Sequence, residues 1–230
     1  GALLAGKASK KASWPLVVKT HNYVDLRYYR SVDHFITTTQ DQFEYLKSHH
    51  IIENQISVIP NFSRIPPVHI PKKSIAHLPV FVSYGRMVEK KGFDLLLEAF
   101  AELLSNGKQA KLLLGGDGPE RSRLEKMSMD LKIRDLVNFS GWIDDVPGFL
   151  SRGNVFVLPS RDEPFGIAVI EAMACGMPII ATSTKGPTEI LDETMAYMTQ
   201  PGDAKALSQS MERALANPEE SARLASSSLN

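Results

Sequence analysis

Short apolar runs along this chain alternate with longer stretches in which apolar residues return every three or four positions. The runs read as strands and the stretches as helices. The first part predicts a helix over 1–12, a strand over 16–19, a short helix over 23–31 and a strand over 35–38. A helix over 40–49, with Phe43 and Leu46 on one side, and a strand over 56–59 follow. From residue 80 the alternation is stronger, with strands expected over 80–84, 111–114, 137–139, 155–158, 179–181 and 196–198. Helices are expected over 93–105, from Pro119 to about 131, over 165–175 and over 204–216. The clearest is 93–105. Phe93, Leu96, Leu97, Phe100, Leu103 and Leu104 keep the i, i+3, i+4, i+7 spacing, and Asn106-Gly107 stops it. Residues 226–230 read as a frayed or cut end.

Between the two parts, residues 65–79 hold four prolines. Proline fixes φ and has no N–H for a sheet ladder, so this stretch reads as a linker. The expected organisation is 1–65, a linker over 66–79, and 80–230. Strands alternating with helices argue for an α/β fold with parallel sheets covered on both faces. Six strands after the linker suffice for one complete doubly wound domain. The three before it make only part of a second Rossmann-like domain.

Composition narrows the function classes. Of 230 residues, 43% are apolar and 23% charged, an ordinary globular balance. Lys+Arg and Asp+Glu are both 26, so a general nucleic-acid binder is disfavoured. The single cysteine, Cys175, excludes an intrachain disulfide, and His49, His50, His69 and His77 form no metal-ligand pattern with it. No apolar run approaches the ~18–20 residues of a membrane span. The opening Gly-Ala-Leu-Leu-Ala-Gly is too short for a signal-peptide core, and without an initiator Met the chain reads as a processed start or a fragment. Lys7, Lys10 and Lys11 beside Leu3, Leu4 and Trp14 read as a solvated helix face, with contact to an anionic membrane surface as the other reading.

In parallel α/β sheets, ligands bind beyond the carboxyl ends of the strands. After strand 80–84 comes Gly85-Arg86, then Lys90-Lys91-Gly92, a loop that by itself reads first as a solvated basic surface, with phosphate binding by its Arg fork and Lys charges as the other reading. After 111–114 comes Gly115-Gly116-Asp117-Gly118-Pro119. It is not the dinucleotide fingerprint, because Arg121 stands where the third glycine belongs. After 155–158 comes the richest stretch, with Glu163-Pro164-Phe165-Gly166-Ile167 and then Glu171. Gly166 opens a helix whose free N–H groups suit an anion. Glu171 sits among Val169, Ile170, Met173 and Ala174, where a carboxylate is costly to bury unless something hydrogen-bonds to it. A ribose diol is one such partner. Thr20-His21-Asn22 follows strand 16–19, also at a strand's carboxyl end.

Taken together, Gly85-Arg86…Lys91-Gly92, Gly115-Gly-Asp-Gly-Pro119 and Glu163-Pro-Phe-Gly-Ile…Glu171-Ala-Met-Ala-x-Gly-x-Pro178 resemble the nucleotide-sugar-binding domain of a retaining GT-B glycosyltransferase of family 4. Glu163 and Glu171, with seven residues between them, match that family's paired-glutamate motif. The resemblance covers about 14–200. It implies that Arg86 and Lys91 bind the donor diphosphate and that Glu171 holds the ribose hydroxyls. Glu163, with backbone N–H groups at Phe165, Gly166 and Ile167, holds the donor sugar and phosphate. Gly85 and Gly116 belong to the donor loops, and Trp142-Ile143 match the segment that frames the base. His21 resembles the histidine that touches the transferred sugar.

The implied activity is transfer of a hexose-type sugar, with retention, from a nucleoside diphosphate to a glycan, lipid-linked or small-molecule acceptor. The setting is cytoplasmic, at or near the inner membrane face, in bacterial envelope polysaccharide synthesis such as that of lipopolysaccharide. No obligatory metal or other cofactor is implied. The family's N-terminal domain starts with a strand and glycine-rich loop not found before Gly1, and Asn61-Phe62-Ser63 replaces the usual Asn-Gly-Val/Ile. The other reading is therefore a truncated module that binds the nucleotide sugar without transferring it. An unrelated Rossmann-like oxidoreductase lacks its fingerprint here, and product analysis would separate a GT-B epimerase or glycogen-synthase-like enzyme.

Overall fold

Every strand pair among the described residues is parallel. The structure, a computed structural model, describes residues 2–68 and 78–229. The chain divides into two compact units, Gly1–Phe62 and Ser63–Asn230.

In the first unit, helix α1 (Ala2–Ala12) leads to strands β1 (Val17–Lys19) and β2 (His34–Thr37), helix α2 (Gln40–Ser48) and strand β3 (Ile56–Val58). The sheet order is β1-β2-β3, with Phe35 opposite Val18 on one side and Ile56 on the other. Phe35, Leu46 and Ile56 form its small core. Thr39 starts α2, its hydroxyl accepting the Gln42 N–H at 3.3 Å. Leu3, Leu4 and Trp14 are exposed, and Lys10 and Lys11 close α1. The helix expected over 23–31 is only a 3₁₀ turn, Leu26–Tyr28. The Asp25 carboxylate accepts the Arg27 N–H at 3.2 Å. That bond caps the start of the turn, and Leu26 and Tyr29 then pack on the small core around Phe35.

The second unit runs β4 (Val80–Tyr84), α3 (Phe93–Ser105), β5 (Lys111–Gly115), α4 (Arg121–Asp130), β6 (Val137–Phe139), α5 (Val146–Ser151) and β7 (Val155–Leu158). It continues with α6 (Ile167–Ala174), β8 (Ile179–Thr182), α7 (Lys185–Thr188), β9 (Tyr197–Thr199), α8 (Ala204–Ala216) and α9 (Pro218–Ser227). The six-stranded order is β6-β5-β4-β7-β8-β9. The chain winds outward from β4, returns to the centre and winds outward the other way. This is a doubly wound sheet with its switch point between β4 and β7.

Both faces are covered, so the strands read as continuous apolar runs. Phe81 packs on one face with Leu96 and Phe100 of α3, Met211 of α8 and Leu224 of α9. Its neighbour Val82 packs on the other with Phe149 of α5 and Val169 and Ala172 of α6.

The described ends correct several expectations. Residues 63–68 belong to the second unit, and Val68 N–H donates to the Ala174 carbonyl at 2.9 Å. The unit boundary thus falls three residues before the expected 65/66 division. Residues 69–77 of the expected linker lie outside the described residues. Helix α6 begins at Ile167, with Gly166 as its cap. Helix α9 runs through Ser227, so the first two residues of the stretch 226–230, expected to be a frayed or cut end, are helical. Pro218 in its first turn and Glu219 and Glu220 beside it favour a helix start. No helix among the described residues is long and apolar enough to cross a membrane.

Candidate functional site

Three loops meet beyond the carboxyl ends of β4, β5 and β6. Gly85 N–H donates to the Gly115 carbonyl at 3.1 Å, Met87 N–H to Asp117 at 2.8 Å, and Gly116 N–H to Gly141 at 2.6 Å. At Gly116, φ is +109°, and an added Cβ would collide with the Gly85 carbonyl. Only glycine allows the loops to approach this closely. They enclose a cavity of about 640 Å³ lined by Tyr84, Gly85, Arg86, Gly116, Asp117, Gly118, Trp142 and Ile143.

The cavity's cation is Arg86. Its side chain is exposed and has no hydrogen-bond or ion-pair partner among the described residues. A guanidinium so placed can meet an anion without first breaking a protein contact. Trp142 is 77% exposed, its indole N–H donating to Asp144 Oδ1 at 2.9 Å.

The loop after β7 adds the acidic groups. It is tied to the β4 loop by Arg161 and Asp162, whose N–H groups donate to the Lys90 carbonyl at 2.8 and 3.2 Å. Arg161 also forms a two-pronged pair with Asp94 of α3, at 2.6 and 3.0 Å. This staple holds Lys91 and Glu163 together. Lys91 Nζ donates to Glu163 Oε2, which also accepts the Ser160 hydroxyl at 3.4 Å. The Glu163 side chain is 9% exposed, so its charge requires this cation. At the start of α6 the Gly166 carbonyl accepts the Val169 N–H at 2.9 Å. The N–H groups of Phe165, Gly166 and Ile167 therefore precede the helix's own ladder.

Glu171 is half-buried on α6, and Tyr84 Oη donates to its Oε2. Burial, then the hydrogen bond and charge of Glu171, hold the Tyr84 phenol well above its ordinary range, so it stays a neutral donor.

The second unit thus gathers Gly85, Arg86, Gly116, Trp142 and Ile143 at one cavity, and pairs Lys91 with Glu163. His21 lies in the first unit, exposed just past β1, beside the buried Thr20 whose N–H donates to Ile36 at 2.8 Å. Sequence reasoning missed Tyr84, whose only signal was a hydroxyl at the end of a strand preceding Gly85. It also missed Ser160, three residues before Glu163, and the pair Arg161–Asp94, whose contact spans 67 residues. A larger cavity of about 760 Å³ opens at the opposite end of the sheet, by Val80, Lys111, Arg134 and Arg152. Those are the amino ends of the strands, and none of the motif residues lines it.

The profile of the family described as Glycosyl transferases group 1 matches residues 68–229. The chain belongs to this family. Among curated relatives it is 36% identical over 205 residues to a lipopolysaccharide core biosynthesis glycosyltransferase, LpsE, of Rhizobium meliloti, covering 87% of this chain and 59% of that protein. It is 34% identical to LpsD of the same organism, over 84% of this chain and 56% of that one. The chain thus spans less than three fifths of the length of these two relatives. Among solved structures, Anabaena HepE in complex with UDP-glucose has a TM-score of 0.88 at 23% identity, covering 99% of this chain and 70% of that one. Sucrose-phosphate synthase from Thermosynechococcus elongatus follows the fold with a TM-score of 0.80 at 26% identity, over 99% and 66%. The group 1 fold of this chain is α/β and of the GT-B type, and the paired-glutamate stretch Glu163–Glu171 lies inside the matched residues.

Proposed function

We propose that this protein is a retaining, nucleoside-diphosphate-sugar-dependent glycosyltransferase of family 4, and that the second unit holds its donor. The observation that carries the reading is Arg86, unpartnered among the described residues, lining a cavity beyond the carboxyl ends of β4, β5 and β6, five residues before the Lys91 that pairs with Glu163. HepE, with the same fold, was solved with UDP-glucose.

In this reading Arg86 and Lys91 hold the diphosphate, helped by the N–H groups at the start of α6. Glu171 takes the ribose hydroxyls, Glu163 a sugar hydroxyl, and the Trp142-Ile143 segment frames the base. His21 keeps the role its motif implies, contact with the transferred sugar, as an assignment from sequence alone. Transfer breaks the bond between the anomeric carbon and the diphosphate oxygen, and the electron pair leaves with the diphosphate. The acceptor hydroxyl attacks from the same face and its proton passes to the leaving oxygen. Negative charge grows on the diphosphate, where fixed cations and N–H dipoles stabilise it more than in the ground state. Arg86 and Lys91 fill this role without an obligatory metal. The acceptor is a glycan or lipid-linked saccharide of a bacterial envelope, consistent with the relatives LpsE and LpsD. The enzyme then works in the cytoplasm, peripheral to the inner membrane face.

The test is a calorimetric titration with UDP, GDP and ADP in metal-free buffer. Selective binding of one diphosphate is expected and names the base. No binding by folded protein would overturn the donor site. Binding with no release of diphosphate from any nucleotide sugar, across glycan and lipid-linked acceptors, would instead favour a binding module.

A further inference from the structure

Tyr84 belongs to two environments. Tyr84 is one of the residues lining the 640 Å³ cavity with Arg86 and Trp142, and its hydroxyl donates to Glu171 on α6. Ring packing sets that direction. The Tyr84 ring meets Phe149 nearly edge-on at 6.0 Å and Phe156 at 5.9 Å. Its register partner across the sheet is Gly115. A Cβ at Gly115 would lie 2.8 Å from the Phe149 ring and 3.0 Å from the Tyr84 Cβ, so the missing side chain makes room for both rings. With little freedom at χ1 and χ2, the phenol oxygen is delivered to one place.

Glu171 stands between buried Val169 and Ala172 on a largely apolar helix. Only one of its oxygens, Oε2, takes the Tyr84 proton. A carboxylate has about four lone-pair sites, so Oε1 keeps its acceptor capacity. A long side chain with one oxygen pinned loses rotamer freedom before a ligand arrives, and the ordering cost then falls outside the binding step.

We propose that Tyr84 is a positioning residue for donor binding: its hydroxyl fixes the Glu171 carboxylate so that the free oxygen accepts a ribose hydroxyl, and nucleotide discrimination at the ribose depends on it. The inference rests on the donor-site reading above. Tyr84 does not touch the reacting atoms.

The experiment compares affinities for a ribonucleoside diphosphate and its 2′-deoxy and 3′-deoxy counterparts, in wild type, Tyr84→Phe and Glu171→Ala. The base is the one among UDP, GDP and ADP that the wild type binds tightest. Tyr84→Phe keeps the ring contacts with Phe149 and Phe156, and a thermal melt checks the fold of each variant. The wild type is expected to prefer the ribonucleotide over at least one deoxy form by about tenfold, the size of one hydrogen bond to a charged group. Glu171→Ala should abolish that preference. Tyr84→Phe should lower ribonucleotide affinity several-fold, to the order of the deoxy values, and leave deoxy affinity unchanged.

A Tyr84→Phe protein that keeps the wild-type ratio, while Glu171→Ala loses it, overturns the role of Tyr84 and leaves the donor site standing. Equal losses for ribo and deoxy ligands in Tyr84→Phe also overturn it, because a cavity-wall role would act that way. A ratio that Glu171→Ala does not change, or no binding by the wild type, overturns the ribose assignment of Glu171 and this inference with it.

Discussion

Arg161 and Asp94 are 67 residues apart in sequence and face each other across two loops, with Nη1 2.6 Å from Oδ1 and Nη2 3.0 Å from Oδ2. Arg161 Nη1 also donates to the Glu89 carbonyl at 3.2 Å. The pair fixes the segment carrying Glu163 against the one carrying Lys91. Arg161→Ala is expected to cost about 1–2 kcal/mol in urea denaturation, between the worth of an exposed and a buried pair. Arg161→Lys should recover little of it, since an ammonium cannot form the two-pronged contact.

The same pair gives a pH signature. Burial pushes the Asp94 carboxyl up, but hydrogen bonds and charge from Arg161 outweigh it and hold the group below its ordinary value of 3.8. A carboxylate depressed in the folded state contributes its full stability above the unfolded value. That contribution disappears as pH falls through the folded value. Unfolding free energy measured from neutral pH downward should therefore lose the Asp94 contribution only below about pH 4. Asp94→Asn should show a shallower fall in that window.

Arg86 and Lys91 are both basic, yet their removal should read differently. Arg86 is exposed and unpartnered among the described residues, so Arg86→Ala should change stability by no more than about 0.5 kcal/mol. Lys91→Ala strips Glu163 of its cation, where the two side chains are 24% and 9% exposed, and should cost about 2–3 kcal/mol. Both should weaken diphosphate binding tenfold or so, more at low salt. Denaturation and calorimetry on the same samples separate the effects. Equal stability losses would mean that the Lys91–Glu163 pair is not what holds Glu163.

Gly92 and Gly107 both adopt positive φ, +66° and +77°. A Cβ at Gly107 meets nothing within 4 Å, whereas one at Gly92 would collide with the Pro159 carbonyl. Gly107→Ala should cost only the left-handed penalty, about 1–2 kcal/mol. Gly92→Ala adds a clash with backbone where the β4 and β7 loops meet, and should cost about 3 kcal/mol or more. Thermal melts of the two variants, with diphosphate titration of whichever folds, check this.

Much of the fold was legible because periodicity is a local property. Helix α3 follows its stripe of Phe93, Leu96, Leu97 and Phe100, and α8 spans 204–216 as its pattern predicts. Helix α9 carried a readable start at Pro218-Glu219-Glu220 that its weak apolar content concealed. The turn at Leu26–Tyr28 was misread because aromatic and β-branched residues there serve the small core around Phe35.

By itself the sequence determined the strand–helix alternation, the glycine-bracketed loops at strand ends and the paired-glutamate motif, since each depends on neighbours along the chain. It also marked Glu171 as a carboxylate that is costly to bury without a hydrogen-bond partner. Tertiary structure alone decided that the partner is Tyr84, 87 residues away, and that Arg161 holds Asp94. Such pairs are set by strand order and loop closure, which bring the carboxyl ends of β4 and β7 side by side. No spacing along the chain records that proximity.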